Sequence, residues 1–465
     1  MGVGLAKMKR TAVINVVGLT DALVGEHTPN IREYARRAGM RPIEPAFPAV
    51  TCTAQSNYLT GRAPAQHGIV GNGWYDREYA EHRFWKQSNH IVRQRKIWEV
   101  LGEEDPSFTC AKLFWWYNMY ASVDHSITPR PMYPADGKKV FDVYTQPMGL
   151  RETIKKDLGE FPFPFFWGPM AGIKSSEWIA RSAEWVEAHH RPTLNLVYLP
   201  HLDYNLQRLG PKDPGIHGDL QAIDAIVGRL IKYFEKRDVQ VVLLSEYGIT
   251  EVSRPVHLNR VFRKQGWIQI KDELGLEQID CGASKAFAIA DHQVAHVYLN
   301  DPSIGDEVKK VLSEVPGVER VLDEAEKQAS GIDHERAGDF IAVADKDSWF
   351  TYYYWEDDAV APDFARCVDI HRKIGYDPVE LFFDPAIRFP KLQVAKRLLK
   401  KKLGMRMLLD LIPLDASLVK GSHGRRPEDL GDWPVYIGPG ARTGDDDSLL
   451  STDVFKKLMA CVQGY

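Results

Sequence analysis

The 465-residue chain has only five cysteines, Cys52, Cys110, Cys281, Cys367 and Cys461, an odd number scattered without metal-type spacing. That excludes a disulfide framework, and the thiols are read as reduced. No apolar run approaches the roughly 20 residues of a membrane span. Met1 to Arg10 holds basic residues but no apolar segment of the signal-peptide kind. The expectation is therefore a cytoplasmic protein without a transmembrane segment. An excess of either charge is also missing: 59 Lys and Arg stand against 63 Asp and Glu, a net charge of −4, with a pI near 6.4. Such a balance gives no global pull on nucleic acid or anionic membrane, so no nucleic-acid partner is expected and any anion recognition has to be local. Internal repeats and low-complexity tracts are absent as well. What remains, 44% hydrophobic and 26% charged residues, is the composition of an ordinary folded protein. Its length allows two or three domains, and nothing in it fixes an oligomeric state.

What is there is a rhythm. Apolar runs bounded by turn residues alternate with helical patterns, which predicts an α/β fold with a mostly parallel sheet flanked by helices on both faces. Strands are expected over 11–17, 194–199 and 239–244, ending at Gly18, at Pro200-His201-Leu202-Asp203 and at Ser245-Glu246-Tyr247-Gly248. Polar residues thus gather at strand carboxyl ends, where open α/β sheets place their sites. Residues 176–190 and 218–236 read as crossover helices. Two segments break the rhythm: 76–180, with Phe114-Trp115-Trp116-Tyr117 and Phe161-Pro162-Phe163, and 346–414, with Trp349-Phe350-Thr351-Tyr352-Tyr353-Tyr354-Trp355. The predicted organisation is a core over 11–75, 181–345 and 415–445, an aromatic-rich insertion over 76–180 and a cap or lid over 346–414. The aromatic clusters are expected to form the interiors of the insertions, the other reading being a platform against which a base or ring could stack.

The most informative stretch begins at Phe47-Pro48-Ala49-Val50-Thr51-Cys52-Thr53. It continues through Thr60-Gly61 to His67-Gly68-Ile69-Val70-Gly71-Asn72. Phe-Pro disfavours helix just before it, the run from Thr51 to Leu59 can be helical, and Gly61 can end it. A phosphate beside Thr51 would meet backbone N–H groups at the positive end of a helix. With these residues in this order the chain resembles the alkaline phosphatase superfamily, in particular the type I phosphodiesterase/nucleotide pyrophosphatase branch that includes phosphonoacetate hydrolase. The resemblance implies an alkaline phosphatase-like core and Thr51 as the nucleophile that becomes phosphorylated, with Asn72 helping to hold the phosphoryl oxygens. It implies hydrolysis of a small phosphodiester, phosphomonoester or phosphonate.

It also implies one or two divalent metal ions, zinc first and manganese second, because one ion lowers the nucleophile's pKa and another neutralises the leaving oxygen. Thr51, Asp203 and His423, the last in Gly421-Ser422-His423-Gly424, match the family's ligand positions. Gln207 stands where the family has a His, and Glu246-Tyr247 where it has Asp-His. Val17 stands at the first-strand Asp, with Asn15 the nearest polar residue on that face. Neutral amides and phenols bind zinc more weakly than imidazole. His201, two residues before Asp203 and on the same face if the strand geometry extends through them, is a candidate replacement ligand or a cleft-lining donor. The Asp203–His423 half is expected to hold its ion better than the Glu246–Tyr247 half. The alternatives are a divergent or single-metal enzyme acting on an unusual phosphorylated metabolite, and a non-catalytic protein that binds a phosphorylated ligand.

Three further features carry readings. Lys138 and Lys139 fall where phosphonoacetate hydrolase has basic residues near its site, and are candidate substrate-binding residues against a solvated pair. His292 and His296, in Asp291-His292-Gln293-Val294-Ala295-His296, have metal-like spacing, but their apolar flanks favour a strand pair with structural hydrogen bonds. The basic run 396–402, interleaved with Leu398, Leu399 and Leu403, reads as the solvated face of a lid helix, the other reading being a membrane-surface helix.

Overall fold

The computed structural model describes residues 8–136, 138–405, 407–442 and 447–465, without the side chains of residues 391 and 401. Residues 1–7, residues 443–445 of the expected core and the Lys401 side chain of the basic run lie outside what is described. At the centre is a nine-stranded sheet. Gln240–Leu244, Thr11–Val16, Leu194–Leu199, Cys110–Leu113 and His125–Pro129 run parallel in that order. Val143–Gln146 closes one edge antiparallel. Val435–Ile437, Met40–Glu44 and Leu449–Leu450 complete the other. The Thr11–Val16 and Leu194–Leu199 strands are buried throughout because helices cover both faces. Ile173–His190, His217–Glu235 and Pro29–Ala38 pack as one group, and Thr51–Thr60, Ile97–Glu104 and Val454–Gln463 as another.

Three expectations are corrected. The segment 76–180 is no separate insertion, since Cys110–Leu113, His125–Pro129 and Val143–Gln146 are strands of the central sheet. The reason it read otherwise is physical. Lys112 interrupts a short apolar run, yet it is buried, donating from Nζ to the carbonyls of Trp116 (2.7 Å) and Tyr117 (2.8 Å). Second, 181–345 is not sheet core alone. Ala286–Asp291, Val294–Leu299, Phe340–Ala344 and Val318–Leu322 form a separate four-stranded antiparallel sheet. Third, the chain after Leu199 does not extend the strand but turns at once into the helix His201–Leu209.

Beside the antiparallel sheet lies a second core in which Trp349, Tyr352, Tyr353, Tyr354 and Trp355 are all buried. Among the described residues no helix is long and apolar enough to cross a membrane.

Candidate functional site

Val50 is extended (φ −133°, ψ 157°), Thr51 opens the helix Thr51–Thr60, and Gly61 closes it at φ 66°. All ten residues of this helix are buried, as expected of one lying between sheet and outer layers. Its amino end points at the carboxyl ends of the central strands, and there the polar residues meet. Thr51 Oγ1 is 3.2 Å from Tyr247 OH, which donates to Asp203 Oδ1 at 3.0 Å. Tyr247 has one proton and gives it to Asp203, so Thr51 is the donor in the first bond and keeps its lone pairs for the cavity.

Both carboxylates sit among neutral donors. Asp203 Oδ2 accepts from Gln207 Nε2 at 2.8 Å, and Gln207 lies one helical turn on, so its amide also reaches Tyr376 OH at 3.2 Å. Glu246 Oε1 accepts from Asn15 Nδ2 and from Gln55 Nε2, each at 2.5 Å. Burial raises the Asp203 carboxyl to about 7 and the Glu246 carboxyl to about 8, with the hydrogen bonds pulling the other way.

His423 is placed by glycines. A Cβ on Gly421 would lie 2.1 Å from the Leu206 carbonyl oxygen, so only glycine lets this strand lie against the helix that carries Asp203. Gly424 follows at φ 122°. His423 Nδ1 bonds the Ala49 carbonyl at 2.7 Å, and burial lowers the imidazole to about 3, which keeps it neutral. Its ring stacks on Tyr247 (3.6 Å) and meets His292 (3.7 Å), which stacks on Tyr376 (3.7 Å). Tyr376 continues the aromatic wall to Trp85 (5.8 Å) and Trp167 (5.4 Å), and Trp85 to Trp116 (4.7 Å). The wall bounds a cavity of about 380 Å³ with Thr51, Asp203 and Tyr247 in its lining and the exposed Arg130 and Lys139 at its rim.

The structure thus brings Asn15, Thr51, Asp203, Gln207, Glu246, Tyr247 and His423 together, from segments far apart in the chain. Three expected residues are placed differently. His201 turns away from Asp203, its Nε2 3.0 Å from Asp219 Oδ1, because it begins a helix instead of extending a strand. Asn72 is engaged by the protein: its Oδ1 receives the Cys52 N–H (3.0 Å) and its Nδ2 donates to Asp291 Oδ1 (2.9 Å), so it caps the helix that Thr51 opens. Lys138 pairs with Asp136 in solvent at 2.6 Å. Val17 is buried and apolar, as its type demands.

Lys139, by contrast, reaches the cavity. His296 serves the hairpin, bonding Val70 O and Gly338 N. His292 sits at the hairpin turn at φ 61° and belongs to the site wall. Gln55 was missed, though its position four residues after Thr51 on a helix puts both side chains on one face. Trp116 comes from the aromatic run 114–117, while Trp85 and Tyr376 carry no sequence signal for the cavity.

The pair of ions implied by the resemblance does not fit these residues. Among the described residues no group of three or more His, Cys, Asp or Glu side chains is placed to hold a metal ion. Both Asp203 oxygens and one Glu246 oxygen already accept hydrogen bonds from amides and a phenol, groups that present positive hydrogens where a cation would have to sit. Of the carboxylate and amide oxygens in this cluster, Glu246 Oε2 and Asn15 Oδ1 are left without partners. Two such oxygens are fewer than the four to six or more donors that zinc or harder divalent ions take.

Comparison with known proteins agrees with this architecture. Over 98% of this chain and 96% of its own, the structure of phosphonoacetate hydrolase from Sinorhizobium meliloti 1021 in complex with phosphonoformate superposes with TM-score 0.62 at 13% identity. An inactive variant of murine ectonucleotide pyrophosphatase/phosphodiesterase 5 in complex with AMP gives 0.59 at 15% identity, covering 98% of this chain and 95% of that one. An uncharacterized pyrophosphatase/phosphodiesterase of Schizosaccharomyces pombe is 28% identical over 265 residues, 54% of this chain. The match spans about half, 47%, of that protein. The family model for type I phosphodiesterase / nucleotide pyrophosphatase matches residues 11–377, which takes in both the helix of Thr51 and the strand ends that face it, and the chain belongs to that family.

Proposed function

We propose that this chain takes a small phosphorylated or phosphonate compound into the cavity, with the phosphorus group at Thr51 and the organic body against the aromatic wall. It holds that compound without the pair of divalent ions on which members of the family depend. One observation carries the reading: Asp203 and Glu246 are hydrogen-bonded by Tyr247, Gln207, Asn15 and Gln55, neutral donors in place of ions. The ligand class is supported by two structures of the same fold, whose ligands are AMP and phosphonoformate. A cavity of about 380 Å³ lies within the range that small-molecule sites occupy, and Lys139 at its rim can meet a phosphate as a point charge.

A second reading, hydrolysis through a phosphothreonine, is favoured by Thr51 itself. Its hydroxyl opens a buried helix, faces the cavity and is oriented by Tyr247. In that reaction an Oγ–P bond forms as the bond from phosphorus to the leaving group breaks, and water then hydrolyses the phosphoryl-threonine.

Calorimetric titration of EDTA-dialysed protein with AMP and with phosphonoacetate separates the two, run beside a turnover assay on bis-p-nitrophenyl phosphate with and without added zinc or manganese. The expected result is binding that survives EDTA and weakens about tenfold in Thr51→Ala, with no metal-stimulated turnover. Metal-stimulated turnover that Thr51→Ala abolishes would replace the binding reading with the hydrolase. Failure of both compounds to bind would remove the ligand class.

A further inference from the structure

The helix Pro390–Lys402 is built the wrong way round for a helix that serves only its own protein. An amphipathic helix on a folded domain turns its apolar stripe to the core. Here Leu392, Leu399 and Leu403, spaced seven and four residues apart and so on one face, are 68%, 57% and 68% exposed. The half-buried side is mixed: it carries Gln393, Val394 and Arg397, and Arg397 is anchored to Asp410 at 2.7 Å. Lys396 and Lys402 stand beside the exposed leucines, and no carboxylate among the described residues is paired with Lys396, Lys400 or Lys402. Phe389 and Met405, at the two ends of the helix, are exposed as well.

This surface is continuous with the mouth of the cavity, where Met407, Leu408 and Leu409 form part of the lining. From a separate part of the chain, Tyr133 and Lys139 reach the same cavity, and Met132, Val140 and Phe141 around them are exposed. Two unrelated segments at one opening therefore carry the same combination of exposed apolar side chains and unshielded cations. In a chain of net charge −4 this is a local departure, and it is the chemistry of an interfacial helix: leucine and aromatic side chains for the acyl boundary, lysines for anionic headgroups.

We propose that the face formed by Leu392, Lys396, Leu399 and Leu403 together with Met132 and Phe141 docks on the surface of an anionic phospholipid bilayer and presents the cavity mouth to it. The inference stands apart from what the cavity holds, since it concerns only the outer face.

Flotation of the full chain with vesicles of phosphatidylcholine, with and without phosphatidylserine, tests it. The expected result is binding to the vesicles that contain phosphatidylserine and loss of that binding in high salt. Lys396→Gln should weaken it about fivefold, and Leu399→Glu with Leu403→Glu should abolish it. All these positions are exposed, and circular dichroism checks that each variant keeps its fold. The proposal is overturned if the wild-type chain stays unbound on phosphatidylserine vesicles, or if the leucine variant floats as well as the wild type. A wild-type dimer in sedimentation that Leu399→Glu dissociates, without vesicle binding, would overturn it too and assign the face to a second copy of the chain.

Discussion

Tyr247 makes two contacts at the centre of the site. Its ring packs on His423, and its hydroxyl links Thr51 to Asp203, so the Thr51 hydroxyl is oriented by the protein itself. His296 shows how much a single buried imidazole can contribute to pH dependence. Gly338 N donates to Nδ1 and Nε2 bonds the Val70 carbonyl, which fixes the neutral tautomer, and burial lowers its pKa to about 4 from an ordinary 6.5. Below about 6.5 the unfolded chain takes up a proton that the folded chain refuses until about 4. The His296 contribution is therefore complete above pH 6.5 and is lost as pH falls towards 4, about 3 kcal/mol in all. Urea unfolding at several pH values should show that slope in the wild type and a shallower one in His296→Gln; parallel curves would contradict it. Of the site residues, Thr51, Asp203, Glu246 and His423 were legible because motif spacing and strand ends announce them. The partners of Asn72 and His201 were not legible, because a sequence gives a side chain's donors without saying which neighbour takes them.

The elements behind the cavity wall depend on a buried ion network. Lys373 Nζ lies 2.6 Å from Asp377 and 2.7 Å from Glu380, all three nearly inaccessible to water. The second Glu380 oxygen accepts from Trp167 Nε1 at 2.5 Å, which sets the indole against Tyr376. Lys373→Met would leave two carboxylates buried without their cation. Removing one partner of such a group costs about 3–5 kcal/mol, so the variant should unfold at markedly lower denaturant concentration and lose the fixed environment of Trp167 in its fluorescence. An unchanged midpoint would show that the network contributes nothing net. Nothing in the sequence announces this arrangement, since Lys373, Asp377 and Glu380 read as ordinary polar positions. The central strands were legible for the opposite reason, that burial on both faces demands unbroken apolar runs. Cys110–Leu113 escaped the same reasoning because its lysine satisfies itself on loop carbonyls inside the protein.

On the scale of the whole molecule, the chain has the family's fold, and the groups that hydrogen-bond its two convergent carboxylates are neutral amides and a phenol. If these donors stand in for the ions, the frame and the metal chemistry are separable. Ligand positions are fixed by topology, and ligand identity by a few side chains that topology does not constrain. If that is so, the chemistry can be put back. Gln207→His and Tyr247→His would return imidazoles to two positions flanking Asp203 and Glu246, and Val17→Asp would add the first-strand carboxylate. The wild-type chain, purified without chelator and measured by elemental analysis, is expected to carry substoichiometric zinc. The triple variant is expected to gain zinc, because imidazole and carboxylate replace weaker neutral donors on a backbone that already converges. Loss of the Thr51–Tyr247 bond works against the variant, at a cost of about 1 kcal/mol, small beside the free energy of occupying a complete zinc site. Stoichiometric zinc in the wild type, removable by EDTA, would show that the neutral donors yield to the ion and that the site had never changed its chemistry. A folded triple variant that gains no zinc would show instead that the frame itself has drifted away from metal geometry.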